Sequence, residues 1–390
     1  MALVELKEKQ AQAEASEHSS EQPLLSPGQL IWRRFKRHRL GMLGSILIVF
    51  MTVITVFADF IGPYAGDTFH QQLGFAAPTP IHFFHEGRFV GPFVYGITRT
   101  FDPESGAATF QEDESHIYPI RFFVRGDEHK LLGLFQTDLH LFGTGEPPDA
   151  SGQIFLFGAD RFGRDLFDRT LMGGRISLAV GPLSLVLILL LGIFFGGLSG
   201  YYGGWIDLII QRVIEVLQSY PALPLLLVLA TILPRNISEE MRFLGIILIL
   251  SITGWTGIAR VLRGQILALR EQEYVLAARA MGAGNSRVIF RHLLPNTMSY
   301  LIVASTLAIP GLILTEAALS FLGLGVHEPA TSWGLLLSSA NNIFTLANHW
   351  WLLIPGFFII VSVLAFNFMG DALRDAVDPY ASTRGSGSGN

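Results

Sequence analysis

The chain alternates between long apolar runs and polar segments of very unequal length. Six runs reach about 20 residues or more, enough for a helix to cross the hydrocarbon core of a bilayer. They fall within residues 40–61, 176–200, 206–233, 243–261, 298–322 and 350–369. The pattern predicts an all-α integral membrane protein with six transmembrane helices. Arg33, Arg34, Lys36, Arg37 and Arg39 precede the first run, and Arg260, Arg263, Arg270, Arg279, Arg287 and Arg291 fill the loop between the fourth and fifth. Basic residues stay on the cytoplasmic side, and six crossings put both basic segments there without conflict. N-terminus and C-terminus are both expected to be cytoplasmic.

Composition agrees with the pattern. Half the residues are hydrophobic and only 15% are charged, too few for an ordinary soluble chain of this length. There is no cysteine, so disulfides and thiolate chemistry are excluded. Residues 1–26 are polar and lack the apolar core of a signal peptide. The chain therefore divides into a disordered cytoplasmic tail (1–31), a basic lead-in with the first span (32–61), an extracytoplasmic insert (62–170), a transmembrane core (171–380) with a cytoplasmic loop at 262–296, and a flexible or artificial Gly/Ser linker (381–390).

The insert carries 15 Asp/Glu against 8 Lys/Arg, a net charge of −7. Residues 88–95 and 118–124 are rich in strand formers and bounded by Pro, Gly and Asp, so a small β-rich domain is expected. His82 and His85 read as solvated surface histidines, not metal ligands. The domain either touches a partner over the outer mouth or only adds stability.

Residues 274–296, YVLAARAMGAGNSRVIFRHLLPN, form a polar, Arg-rich helical segment between two spans. Tyr274 opens it. Ala277, Ala278, Ala280 and Gly282 group small side chains that let another protein approach the backbone closely, and Arg279, Arg287 and Arg291 surround them with charge. Gly282-Ala283-Gly284 is expected to break the first helix, Asn285 to cap a second, and Leu294-Pro295 to end it. Helix, bend, helix is the expected form.

Ala277-Ala278, Gly282 and His292-Leu293-Leu294-Pro295, at their spacing, resemble the cytoplasmic "EAA" loop of ABC importer permeases, which fits a groove on each ATPase subunit. Leu276 stands where that motif has Glu, and His292 where it often has an aliphatic residue. Further segments are similar to the dipeptide, oligopeptide and nickel branch of these permeases. They are Phe157-Gly-Ala-Asp160, Gly163-Arg-Asp165, Arg169, Gly174-Arg-Ile-Ser177, Gly200-Tyr-Tyr-Gly-Gly204 with Asp207 and Arg212, Ala318-Leu-Ser-Phe-Leu-Gly-Leu-Gly325, Ser332-Trp-Gly334, and Gly370-Asp-Ala-Leu-Arg-Asp375 before Asp378-Pro379.

The resemblance implies the type I ABC importer permease fold in a bacterial cytoplasmic (inner) membrane. It implies a second homologous permease subunit, two ATPase subunits, an extracytoplasmic solute-binding protein and surrounding membrane lipid. The solute would be a dipeptide, oligopeptide, nickel chelate, glutathione or opine. ATP and Mg would be held by the ATPases, with no cofactor on this chain. The lysines agree: Lys7, Lys9, Lys36 and Lys130 do not follow glycine, so the chain has no phosphate-cradling P-loop.

Several residues inside the apolar runs are candidates for the pathway or its gate. Pro221 and Pro224 interrupt the third run and free carbonyls, giving either a simple kink or a moving joint. Glu316 lies about 30 Å along a helix past Pro295, near the outer face. With Pro310 before it and Ser320 and Phe321 after it, Glu316 either faces the pathway or is an interfacial carboxylate paired with a neighbour. Arg212 and Glu215 are spaced to pair along one helix. Gly192, Gly196 and Gly200 line one helical face for close helix packing.

An ion-gradient-driven secondary transporter is the alternative, and would need charges near mid-membrane and usually an internal repeat. No metal site or catalytic constellation is expected in the spans. A nucleic-acid partner would have only the basic run before the first span, which the topology already explains.

Overall fold

A computed structural model of the protein describes residues 26–66, 68–101, 108–131, 135–147, 151–234 and 237–377. Most of the expected tail (1–25), the Asp378-Pro379 pair and the 381–390 linker lie outside the described residues. The N-terminal helices are α1 (Pro27–Arg37), α2 (Arg39–Val56) and α3 (Ala58–Ile61). After the insert come α4 (Leu166–Tyr202), α5 (Gly204–Ser219), α6 (Ala222–Thr231) and α7 (Glu239–Leu269). Then follow α8 (Glu273–Ala280), α9 (Asn285–Phe321), α10 (Trp333–Ser338), α11 (Ile343–Asn348) and α12 (Ile354–Val377). Among the described residues, α2, α4, α7, α9 and the last helix are long and apolar enough to cross a membrane, and the bent pair α5 and α6 makes a sixth if it counts as one span.

Capping explains where the helices exceed the apolar runs. Ser26 accepts from the Gln29 N–H and Gln29 accepts from the Ser26 N–H, with Pro27 in the first turn where no N–H is required. Residues 27–31, expected as tail, are therefore helix, and Ile31 and Phe35 pack on Ala372 and Ala376 of α12. Asp165 caps α4 and Ser238 caps α7, so both helices begin before their apolar stretches do. The third run bends by 91° between α5 and α6. Tyr220 there is extended, as a residue before proline prefers, and Pro221 caps α6.

Two expectations for the second half of the 274–296 loop are corrected. Gly284, not Asn285, is the N-cap, and Pro295 does not end a helix. Residues Val288–Leu293 form a π turn, and the α-helix that follows has Pro295 in its first turn. The wider π turn accommodates a residue with no N–H and lets the chain pass from the surface into the fifth span without a break.

Helix α4 is the hub of the bundle. A Cβ at Gly196 would stand 2.7 Å from the Ala259 carbonyl oxygen, and one at Gly200 2.9 Å from that of Arg263; at Gly192 it would meet Ile258 at 2.8 Å. All three glycines thus seat α4 directly on α7. Gly196→Leu is expected to push these helices apart and cost about 1–3 kcal/mol. Gly197→Ala, where an added Cβ meets nothing within 4 Å, should be neutral. Thermal unfolding of the two purified variants checks the contrast.

The insert is β-rich. Strands β1 (His82–His85), β2 (Arg88–Phe101) and β3 (Ala108–Pro119) form one antiparallel sheet, and β4 (Arg121–Leu131) pairs with β5 (Phe135–Gly143) in a separate hairpin. Glu86 and Gly87, both at positive φ, make the two-residue turn between the first two strands. The expected strand 118–124 is split between β3 and β4 at Ile120, next to Pro119, which cannot donate to a continuing ladder. His82 lies 3.2 Å from Glu112 and His85 3.1 Å from the Tyr95 hydroxyl. Leu73, Ala76, Phe155 and Ala159 form a small core within the insert, which meets the bundle through Phe75 and Phe157 packed with Leu336, Trp351 and Leu352.

Candidate functional site

The loop between α7 and α9 is a small, stiff, outward-facing platform. The inner face of α8 is buried: Val275 packs with Tyr201, Leu262, Ile266, Val288 and Leu293, and Ala278 is buried beside them. Its outer face shows Ala277, Arg279, Gly282 and Arg287, with Tyr274 and Met281 also exposed. The bend is closed by two bonds, Gly282 N–H to the Arg279 carbonyl (2.9 Å) and Ala283 N–H to the Ala278 carbonyl (3.0 Å). This is a Schellman motif, and Gly282 takes its left-handed position at φ +83°. An added Cβ on Gly282 would meet nothing within 4 Å, so the backbone lies open to a partner.

Side chains lock this platform to the bundle. The Arg279 guanidinium lies 4.9 Å over the Tyr201 ring at the end of α4, and the Tyr201 hydroxyl donates to Asn285 Oδ1 at 2.7 Å. Asn285 therefore acts as a tether. Arg270 donates to the Gly200 and Tyr201 carbonyls, and Asn296 to the Tyr274 hydroxyl. Leu294 is half-buried and Pro295 exposed where α9 turns into the bundle. Nearby, Arg263 of α7 pairs with Asp207 of α5 at 2.5 Å, an ion pair that the sequence did not disclose. Arg212 and Glu215 pair at 2.8 Å along α5.

A cleft of about 520 Å³ opens at the 91° bend. Gln218, Tyr220, Thr253, Thr256 and Thr315 line it together with leucines, and Gln218 donates to Thr256 at 3.0 Å. Pro221 and Pro224 lie exposed on either side of the start of α6. Pro310 is buried inside α9 and Phe321 is partly exposed at its end. The cleft's polar residues carried no sequence signal beyond single hydroxyls within apolar runs.

Glu316 and Ser320 are fully buried within the chain. Glu316 accepts from the Ser320 hydroxyl at 2.7 Å and from that of Ser177 on α4 at 3.3 Å. Ser320 in turn accepts from the Val326 N–H and Ser177 from the Trp333 N–H. Hydroxyls from two helices satisfy the carboxyl, so it ties α4, α9 and α10 together. Gly325 and Gly334 fit only because a Cβ would stand 2.3 Å from Ser320 Oγ and 2.4 Å from the Ala317 carbonyl.

Where the insert joins α4, Asp160 accepts from Arg164 (2.8 Å) and Arg169 (2.7 Å), and both arginines reach Glu328 beyond α9. Hydrogen bonds from Arg164 hold the Glu328 carboxyl below its ordinary range. Burial instead pushes Asp165 up to about 7. A raised folded-state value means that Asp165 contributes stability at low pH and that this contribution fades as pH rises through about 7. Asp165→Asn, which keeps the cap, is expected to flatten the decline in thermal midpoint between about pH 4 and 7.

Comparison with known proteins places this architecture. The family described as "Binding-protein-dependent transport system inner membrane component" matches residues 188–382, and "N-terminal TM domain of oligopeptide transport permease C" matches 26–78. The dipeptide transport system permease protein DppC of Bacillus subtilis is 34% identical over 362 residues, covering 93% of this chain and 88% of its own. The oligopeptide transport system permease protein OppC of the same organism is 44% identical over 223 residues, 57% of this chain and 71% of its own. Among solved structures, the inward-facing MetNI methionine ABC transporter aligns over 54% of this chain and 93% of that one at 18% identity, with a TM-score of 0.39, too loose a likeness to carry an argument. With the family description matched over residues 188–382 and a relative matched along nearly its whole length, the chain belongs to the binding-protein-dependent transport system inner membrane components, the permease subunits of ABC importers.

Proposed function

We propose that this permease forms half of a translocation pathway for peptides or similarly sized solutes, beside a second, homologous permease, and that two ATPase subunits drive it through the 274–296 loop. The observation that carries the reading is the Schellman bend at Gly282, which presents bare backbone and small side chains outward while its inner face is packed into the bundle. Such a surface suits insertion into a groove on another protein. ATP and Mg would sit in those partners, and an extracytoplasmic binding protein would deliver the solute. The peptide class is supported by the names of the relatives and by the cleft, whose lining offers hydroxyls and an amide among leucines.

Coupling follows the helices. Leu262 and Ile266 anchor the platform on α7, and Thr253 and Thr256 of the same helix line the cleft roughly 15 Å away. A push on α8 thus reaches the cleft through one rigid rod, and α9 provides a second. Closure of the ATPases would rock these rods and expose the cleft alternately to the two sides. An ion-gradient mechanism would place a charge on the cleft, and its lining residues include no Asp, Glu, Lys, Arg or His.

The same reading fixes sidedness: α1 and the 274–296 loop inside, the insert outside, both chain ends inside. Since the chain has no cysteine, single cysteines report this directly. In intact cells Glu112→Cys is expected to react with an impermeant maleimide, and Glu271→Cys only after the membrane is opened. Reaction of Glu112→Cys only from the cytoplasmic side would overturn the topology.

A further inference from the structure

We propose that the Arg121-Phe-Phe-Val-Arg125 corner of the insert seats on the outer-leaflet surface of the membrane, with Phe122 and Phe123 at headgroup level and the two arginines on anionic lipid headgroups. Phe50 and Val53 of α2 and Phe57 at its C-cap are exposed and form a stripe that faces lipid if this helix crosses the membrane. Phe60 of α3 prolongs it, and the Phe123 ring lies 6.4 Å from the Phe60 ring. The corner therefore continues a membrane-facing surface just beyond the end of the first span.

The backbone turns this corner outward. Successive strand residues should point to opposite faces, yet Phe122 is 67% and Phe123 65% exposed. Phe123 has φ +55°, a left-handed conformation that bulky side chains rarely adopt, and it breaks the alternation. The hairpin is also held at this height: His140 bonds the Gly62 carbonyl at 2.7 Å, and Thr68 bonds Asp127 of β4. Aromatic side chains are at home at the membrane–water boundary. Arg121 and Arg125 are exposed cations in an insert whose net charge is −7; Arg125 lies 3.8 Å from Asp138 of β5 and stays 85% exposed, and the planar donors of both match phosphate oxygens.

The inference rests on α2 crossing the bilayer, so the test carries its own control. Phe122→Cys, Phe89→Cys and Val53→Cys are each labelled with an environment-sensitive fluorophore in the assembled full-length transporter, in bilayer discs containing phosphatidylglycerol. Nitroxide-bearing lipids and aqueous iodide serve as quenchers. The Phe122 label is expected to be quenched at least twofold more by shallow nitroxide lipid than the Phe89 label, which sits on the other sheet, and to resist iodide. Replacing phosphatidylglycerol by phosphatidylcholine, or introducing Arg121→Gln with Arg125→Gln, should reduce that difference by a similar amount. Iodide quenching equal to that at Phe89, or shielding from both quenchers as a protein partner would give, overturns the proposal. Lipid quenching at Val53 alongside either result leaves the membrane span intact and rejects only the corner contact; its absence rejects the span itself.

Discussion

Gly282→Trp is expected to abolish uptake while the chain still inserts and accumulates at normal levels. An added Cβ at Gly282 meets nothing of this chain within 4 Å. What it meets is the proposed ATPase groove. Overpacking a close contact costs about 1–3 kcal/mol for a few added methylenes, and an indole is larger, so coupling should fall roughly a hundredfold or more. Backbone strain is the competing cause, since φ at this position is +83° and any L side chain pays about 1–2 kcal/mol there. Gly282→Ala separates the two. It carries the same strain without the bulk and should retain most uptake; equal loss in both variants would place the defect in the fold of the bend.

Asp160→Ala is expected to be the most destabilising single change at the outer mouth. It removes the acceptor shared by Arg164 and Arg169, whose side chains are only 7% and 4% exposed, and leaves two buried cations on one partly exposed Glu328. It also removes the Oδ1 acceptor of the Phe162 and Arg164 N–H groups, which folds this turn. Breaking a buried ion cluster from one side costs about 3–5 kcal/mol. Glu328→Gln keeps a polar acceptor at the half-exposed end and should cost much less. Thermal unfolding of both variants ranks them, and a smaller loss in Asp160→Ala than in Glu328→Gln would contradict this view of the cluster.

What the sequence disclosed and what it hid divide along physical lines. Long apolar runs and clustered arginines marked the spans and their loop because both signals are local. Helix ends at Ser26, Asp165 and Ser238 lay outside the apolar runs and depended on single capping bonds. Pro295 misled because the π turn before it absorbs the missing N–H, a backbone detail with no compositional trace. The partners of Glu316 could not be named because Ser177 is 139 positions away, and Asp207 and Arg263 are 56 apart. Contacts of that range arise only when the bundle closes. In the docking loop the small residues and the bend were legible, whereas the tethers from Tyr201 to Arg279 and Asn285 were not.

If an ATPase subunit docks at the Gly282 bend, Met281, 83% exposed at its tip, reports it most directly. In inside-out vesicles, maleimide labelling of Met281→Cys is expected to be at least tenfold slower when the ATPase subunits are co-expressed than when the permeases are present alone. Equal labelling rates with and without assembled ATPase subunits would contradict the account.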